Sequence, residues 1–193
     1  DMKEVEAVGM LKMDFLALTT LTDIQNTLEY IKEGLGIEID FNKIGVDVPE
    51  AYQLISSGDT DAVFQLEQGG MKKFMKELQP TCLEDLIAGI SLYRPGPMDF
   101  IPTYIHNKHH PEDIVYDTPY LEPILKNSYG VIVYQEQVMQ IFQQLAGYTY
   151  GQADLVRRAM AKKKKKELME QKDKFIHGAP DEGITGCVSK GIP

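Results

Sequence analysis

The stretch TTLTDIQNTLEYIKEGL (Thr19–Leu35) decides the fold class. Leu21, Ile24, Leu28, Ile31 and Leu35 recur every three or four residues, which sets them on one side of an α-helix. Thr20 followed by Asp23 offers an N-cap arrangement, and Gly34 or Gly36 offers the C-terminal stop. Immediately upstream the period is different. In Gly9–Leu16, Leu11, Met13 and Phe15 alternate with Lys12 and Asp14, a period of two that reads as a short β-strand with Lys12 and Asp14 on one face.

Downstream the helical period returns and persists. Pro49 opens a helix through Tyr52 and Ile55 that Gly58 closes. Met71, Phe74, Met75 and Leu78 mark another, ended by Pro80. Thr81 and Glu84 have capping-box spacing for a helix carrying Leu83, Leu86, Ile87 and Ile90, which ends before Arg94-Pro95-Gly96-Pro97. Residues 98–119 read as mostly loop with one short helix, and 119–125 as a further short helix. Val138, Ile141, Phe142 and Leu145 form a stripe stopped by Gly147, and a helix from about Gln152 carries Leu155, Val156, Ala159 and Met160. The run Lys162–Lys166 either continues that helix or turns into a new one, since lysine permits both. There is no internal repeat. The fold class is mainly α, with a short β-strand at the N-terminus.

Composition narrows the possibilities further. The 193 residues suffice for one domain of ordinary size, and 43% hydrophobic with 25% charged residues is the balance of a globular chain. The formal net charge of −9 argues against a histone-like or ribosomal-type binder. Two cysteines, Cys82 and Cys187, make neither a disulfide framework nor a four-ligand zinc site, so a reducing cytoplasm is expected, with Cys82 in the core. No apolar run approaches the ~20 residues that span a bilayer, and no membrane association is expected. The opening residues lack a basic-then-apolar leader, so no signal peptide is expected. The first residue is not Met and the chain stops abruptly at Pro193, as in a piece of something longer.

The acidic average conceals one basic segment. Between Leu155 and Ile176, nine lysines and arginines face three acidic residues. Paired arginines one turn before a lysine cluster suit a triphosphate or a nucleic-acid backbone, because arginine offers a fork to phosphate oxygens and lysine a mobile point charge. The alternative is a solvated charged helix, and Arg157-Arg158 beside apolar positions weighs against it. Other constellations read as structure. Asp59-Thr60-Asp61 is turn chemistry rather than a metal pair, and His106, His109 and His110 belong to a surface loop rather than a zinc site. No phosphate loop, nucleophile elbow or catalytic triad is present.

Five segments, read together, carry a resemblance: Leu11–Leu16 (LKMDFL), Val63–Glu67 (VFQLE), Leu92–Pro97 (LYRPGP), Gly130–Met139 (GVIVYQEQVM) and Arg157–Met160 (RRAM). In this order they resemble the alpha subunits of bacterial DNA polymerase III, the C-family replicative DNA polymerases. The resemblance implies that residues 1–18 end the palm, with Lys12 and Asp14 on its last strand, and that residues 19–193 form a helical fingers domain that is C-terminally truncated. It implies a DNA-directed DNA polymerase as the parent, acting on primer-template DNA and an incoming deoxynucleoside triphosphate (dNTP), with a sliding clamp and other replisome subunits as partners. Asp14 matches one of three metal-binding, catalytic carboxylates that hold two Mg²⁺ ions. Lys12, Arg157 and Arg158 match residues that approach the triphosphate, while Lys162, Lys163, Arg94, Tyr134 and Gln135, near the working surface of the fingers, are candidate nucleotide or DNA contacts. Ala17 and Ala161 stand where the family pattern has glycine, and the family's Pro-Asp-x-Asp-x-Asp-Phe element is missing. The segment alone is therefore expected to be inactive. The competing readings are a non-catalytic nucleic-acid-binding helical module using residues 157–166, or a helical scaffold with a solvated lysine face.

Overall fold

Wherever the sequence repeats its apolar residues at helical spacing, the chain is helical in the computed structural model, which describes every residue except Lys12 and Pro193. The chain divides into two units, Asp1–Gly45 and Val46–Pro193.

The first unit holds α1 (Met2–Ala7) and α2 (Thr19–Leu35). Gly36 closes α2 in the left-handed conformation at φ 67°, its N–H donating to the Lys32 carbonyl. At the other end the N-cap position is Leu18, with no side-chain cap. The expected Thr20–Asp23 arrangement does not form, because both residues already lie inside the first helical turns. The expected strand is also absent among the described residues. Met10, Leu11 and Met13–Leu18 run without a strand partner, and Leu11, Phe15 and Leu16 are 86%, 93% and 93% exposed. Alternation sets which side chains share a face, but ladder hydrogen bonds need a neighbouring strand, and no described residue of this unit supplies one. Asp14 lies exposed in this stretch; Lys12 lies outside the described residues.

The second unit is built from α3 (Pro49–Ser57), α4 (Gly69–Leu78), α5 (Leu83–Leu92), α6 (Ile101–His109), α7 (Glu122–Leu125), α8 (Gln135–Ala146), α9 (Tyr150–Ala161) and α10 (Lys165–His177). Its apolar stripes meet in two cores. Met75, Leu78, Leu92 and Tyr104 are wholly enclosed in the first, and burying each aliphatic side chain stabilises by roughly 1.5–3 kcal/mol. Leu145, Ala153, Val156, Ile184 and Cys187 lie in the second.

Polar groups tie the cores together. Asp85, 1% exposed, accepts from the Thr81 N–H at 2.9 Å, the Thr81 hydroxyl at 3.2 Å and the Tyr129 hydroxyl at 3.1 Å. Lys108 Nζ lies 3.3 Å from Oδ2, the oxygen that also accepts from Thr81, and donates to the Gln79 carbonyl at 2.9 Å. Asp85 therefore holds the start of α5, where the spacing pointed to Glu84. A carboxylate buried among three donors and an ammonium satisfies the segment better than an exposed Glu84 can. Cys82 sits half-buried ahead of α5 rather than in the core, and Cys187 is the buried thiol.

Gln137 performs a similar task for residues 128–134. Its Oε1 accepts from the N–H groups of Val133 and Tyr134 at 2.8 and 2.9 Å, and its Nε2 donates to Ser128 Oγ at 2.6 Å. This fixes the entry to α8 and hence the position of Gln135. The histidines correct another expectation: His106 and His109 lie on α6, with His106 against Asp113 at 2.9 Å and His109 against the Glu77 carbonyl at 3.0 Å.

Candidate functional site

Thr149 starts α9. Its hydroxyl accepts from the Gln152 N–H at 3.3 Å, and Gln152 Oε1 accepts from the Thr149 N–H at 2.8 Å, a reciprocal cap. Ala153, Val156 and Ala159 turn inward. That choice of buried face aligns Asp154, Arg157 and Arg158 at its border, three and four residues apart and thus neighbours on the helix surface.

Asp154 bridges the two arginines. Its Oδ1 accepts from Arg157 Nε at 2.8 Å and Nη2 at 2.7 Å, and its Oδ2 from Arg158 Nε at 2.8 Å. The Arg157 hydrogen bonds, aided by the charge of both arginines, hold the Asp154 carboxyl below the ordinary carboxylate range despite some desolvation. Arg157 Nη1 reaches further, to Gln135 Oε1 at 2.5 Å. Arg157 is 26% exposed and Arg158 63%.

The lysine run resolves into a turn between two helices. α9 ends at Ala161, Lys163 adopts the left-handed conformation at φ 51°, and α10 begins at Lys165. Positive φ thus falls on Lys163, so Ala161 needs none of the freedom of glycine. Lys164 pairs with Glu167 at 2.6 Å. Arg158, Lys162, Lys164 and Glu167 border a cleft of about 390 Å³ between α9 and α10. A larger cleft of about 600 Å³ beside α3 is lined by Asp47, Tyr52, Gln79, Thr81 and neighbours, none of them cationic.

The expected site residues separate into groups. Arg157, Arg158 and Gln135 come together, with Lys162 and Lys163 on the adjoining turn. Tyr134 is half-buried against the first core, and burial pushes its hydroxyl pKa up; its role in the geometry is packing. Arg94 is exposed on the turn after α5. Asp14 belongs to the first unit. No cluster of three or more His, Cys, Asp or Glu residues able to hold a metal ion occurs among the described residues, so the residues present do not make up a two-metal site by themselves. Sequence reasoning missed Asp154, although its spacing from both arginines was a legible signal.

The mainly helical fold agrees with what the family comparison finds. The bacterial DNA polymerase III alpha subunit finger domain matches residues 20–183, and the chain belongs to this family. Among its relatives, the DNA polymerase III subunit alpha of Staphylococcus aureus (strain COL) is 49% identical over 191 residues, 99% of this chain and 18% of the relative. That of Thermus aquaticus is 49% identical over 189 residues, 95% of this chain and 16% of the relative. The chain thus spans less than a fifth of the length of these relatives. No helix of the described residues is long and apolar enough to cross a membrane.

Proposed function

We propose that this chain contributes the fingers to a cytoplasmic, DNA-directed DNA polymerase and that Arg157 and Arg158 bind the triphosphate of the incoming dNTP opposite primer-template DNA. The observation that carries this reading is the arginine pair itself: two guanidinium groups braced on one carboxylate, each keeping N–H donors unused. Nucleotidyl transfer builds charge on phosphoryl oxygens, and fixed cations stabilise it where it develops. Lys162 and Lys163 extend the positive surface, and the family resemblance assigns Lys12 to the same ligand. Asp14 supplies one carboxylate toward Mg²⁺, the rest of the set coming from other parts of the polymerase, whose further partners are a sliding clamp and other replisome subunits.

Two experiments test this reading. In the intact polymerase, Arg157→Ala with Arg158→Ala is expected to raise the dNTP KM at least about tenfold, ~1.4 kcal/mol, while primer-template affinity stays nearly unchanged. A fall in DNA affinity with unaltered nucleotide kinetics transfers the pair to backbone binding and removes the triphosphate role. The 193-residue chain alone is expected to show no metal-dependent primer extension, because Asp14 is a single carboxylate where two metals need several. Extension above a no-enzyme control refutes that expectation.

A further inference from the structure

We infer that Asp154, assisted by Gln135, is a positioning residue that aims Arg157 and Arg158 before the nucleotide arrives; the inference rests on the triphosphate reading above. It begins with a count of donors. A guanidinium carries five N–H groups. Arg157 commits Nε and Nη2 to Asp154 and Nη1 to Gln135. One N–H on each Nη then remains without an acceptor among the described residues. Arg158 commits only Nε, at 2.8 Å, and keeps both Nη groups for a ligand. The carboxylate thus holds each guanidinium by its inner edge and leaves outer donors for phosphate oxygens.

Charge requires the same carboxylate. Arg157 and Arg158 are consecutive, so without an anion between them they repel and separate, and Arg157 loses the partner that compensates its partial burial. With Asp154 in place two flexible side chains are ordered before binding, and the entropy of ordering them is not charged against the nucleotide. Gln135 adds a neutral tether from a different helix, and the buried Gln137 holds that tether in place.

The test is a double-mutant cycle in the intact polymerase. Asp154→Asn keeps the shape and removes the charge. It is expected to raise the dNTP KM roughly three- to tenfold, within the range of coupling between contacting residues, with a smaller change in kcat and little in primer-template Kd. In the Arg157→Ala, Arg158→Ala background it is expected to add nothing further, whereas a merely structural role would carry its full effect into that background. Asp154→Glu is expected to recover part of the loss. Fully additive penalties overturn the inference. A lowered KM for Asp154→Asn also overturns it, since the carboxylate would then be competing with the triphosphate. If Asp154→Asn fails to fold, Gln135→Leu, at an exposed helix start, takes its place with an expected rise of roughly two- to threefold; no rise overturns the inference. Should the arginine variant raise KM while neither substitution does, positioning falls and the triphosphate reading stands. Should the arginine variant itself leave KM unchanged, the triphosphate reading is what fails.

Discussion

Lys108→Ala is expected to lower the unfolding free energy of this chain by about 3 kcal/mol, the lower end of what breaking a buried ion pair costs. Lys108 and Asp85 are 8% and 1% exposed, so removing the ammonium leaves a buried carboxylate without its counter-charge. The figure stays at the lower end because Thr81 and Tyr129 still donate to the stranded carboxylate. Burial alone would raise the Asp85 pKa; the Thr81 N–H, Lys108 and Tyr129 outweigh it and hold the pKa below the ordinary value of 3.8. A depressed carboxylate pKa contributes stability that is complete above the unfolded-state value and is lost as pH falls through the lower folded value. Urea unfolding from pH 7 downward should therefore show stability declining in acid, with a shallower decline for Asp85→Asn. A Lys108→Ala midpoint within experimental error of the parent would show that the pair is energetically idle.

Gly186→Ala is expected to cost about 3 kcal/mol, overpacking and a forced left-handed backbone acting together. Gly186 has φ 76°, and a Cβ there would lie 2.3 Å from the Gly178 backbone nitrogen and 2.7 Å from the His177 carbonyl carbon. No rotamer relieves a clash with backbone. The displaced segment also anchors the C-terminal core: the N–H groups of Thr185 and Gly186 both donate to the Ala146 carbonyl at 3.0 Å, and that of Cys187 to Phe175 at 2.8 Å. Moving it loosens buried Ile184 and Cys187 together with the ends of α8 and α10. Thermal unfolding followed by circular dichroism provides the measurement. An unchanged melting temperature would show that this close approach of two backbones does not limit stability.

These two sites mark the boundary of what sequence reading reached. Helices whose apolar residues repeat cleanly, such as α2, α4 and α8, and stops at Gly36, Gly58 and Gly147 were legible because both signals act within a turn or two of chain. The Lys108–Asp85–Tyr129 cluster was not, since its members are 23 and 21 residues apart and only folding brings them together. The cap ahead of α5 differs for the same reason: local spacing favours Glu84, and burial selects Asp85. The strand at Leu11–Leu16 is a different case, because alternation records a tendency that a neighbouring strand must complete. At the candidate site the arginines are visible as residue types, whereas their carboxylate, Asp154, is marked only by its spacing of three and four residues from them.

The bracing of the arginines has a hereditary aspect. Asp154, Arg157 and Arg158 lie within five consecutive residues, so their mutual geometry follows from α9 being a helix and needs no distant part of the chain to agree. Such a block can pass through duplication, recombination or the remodelling of neighbouring loops without losing its arrangement. Gln135 is the exception, since its contact holds only while α8 and α9 keep their packing. Among descendants of this sequence, the block should therefore outlast its tether.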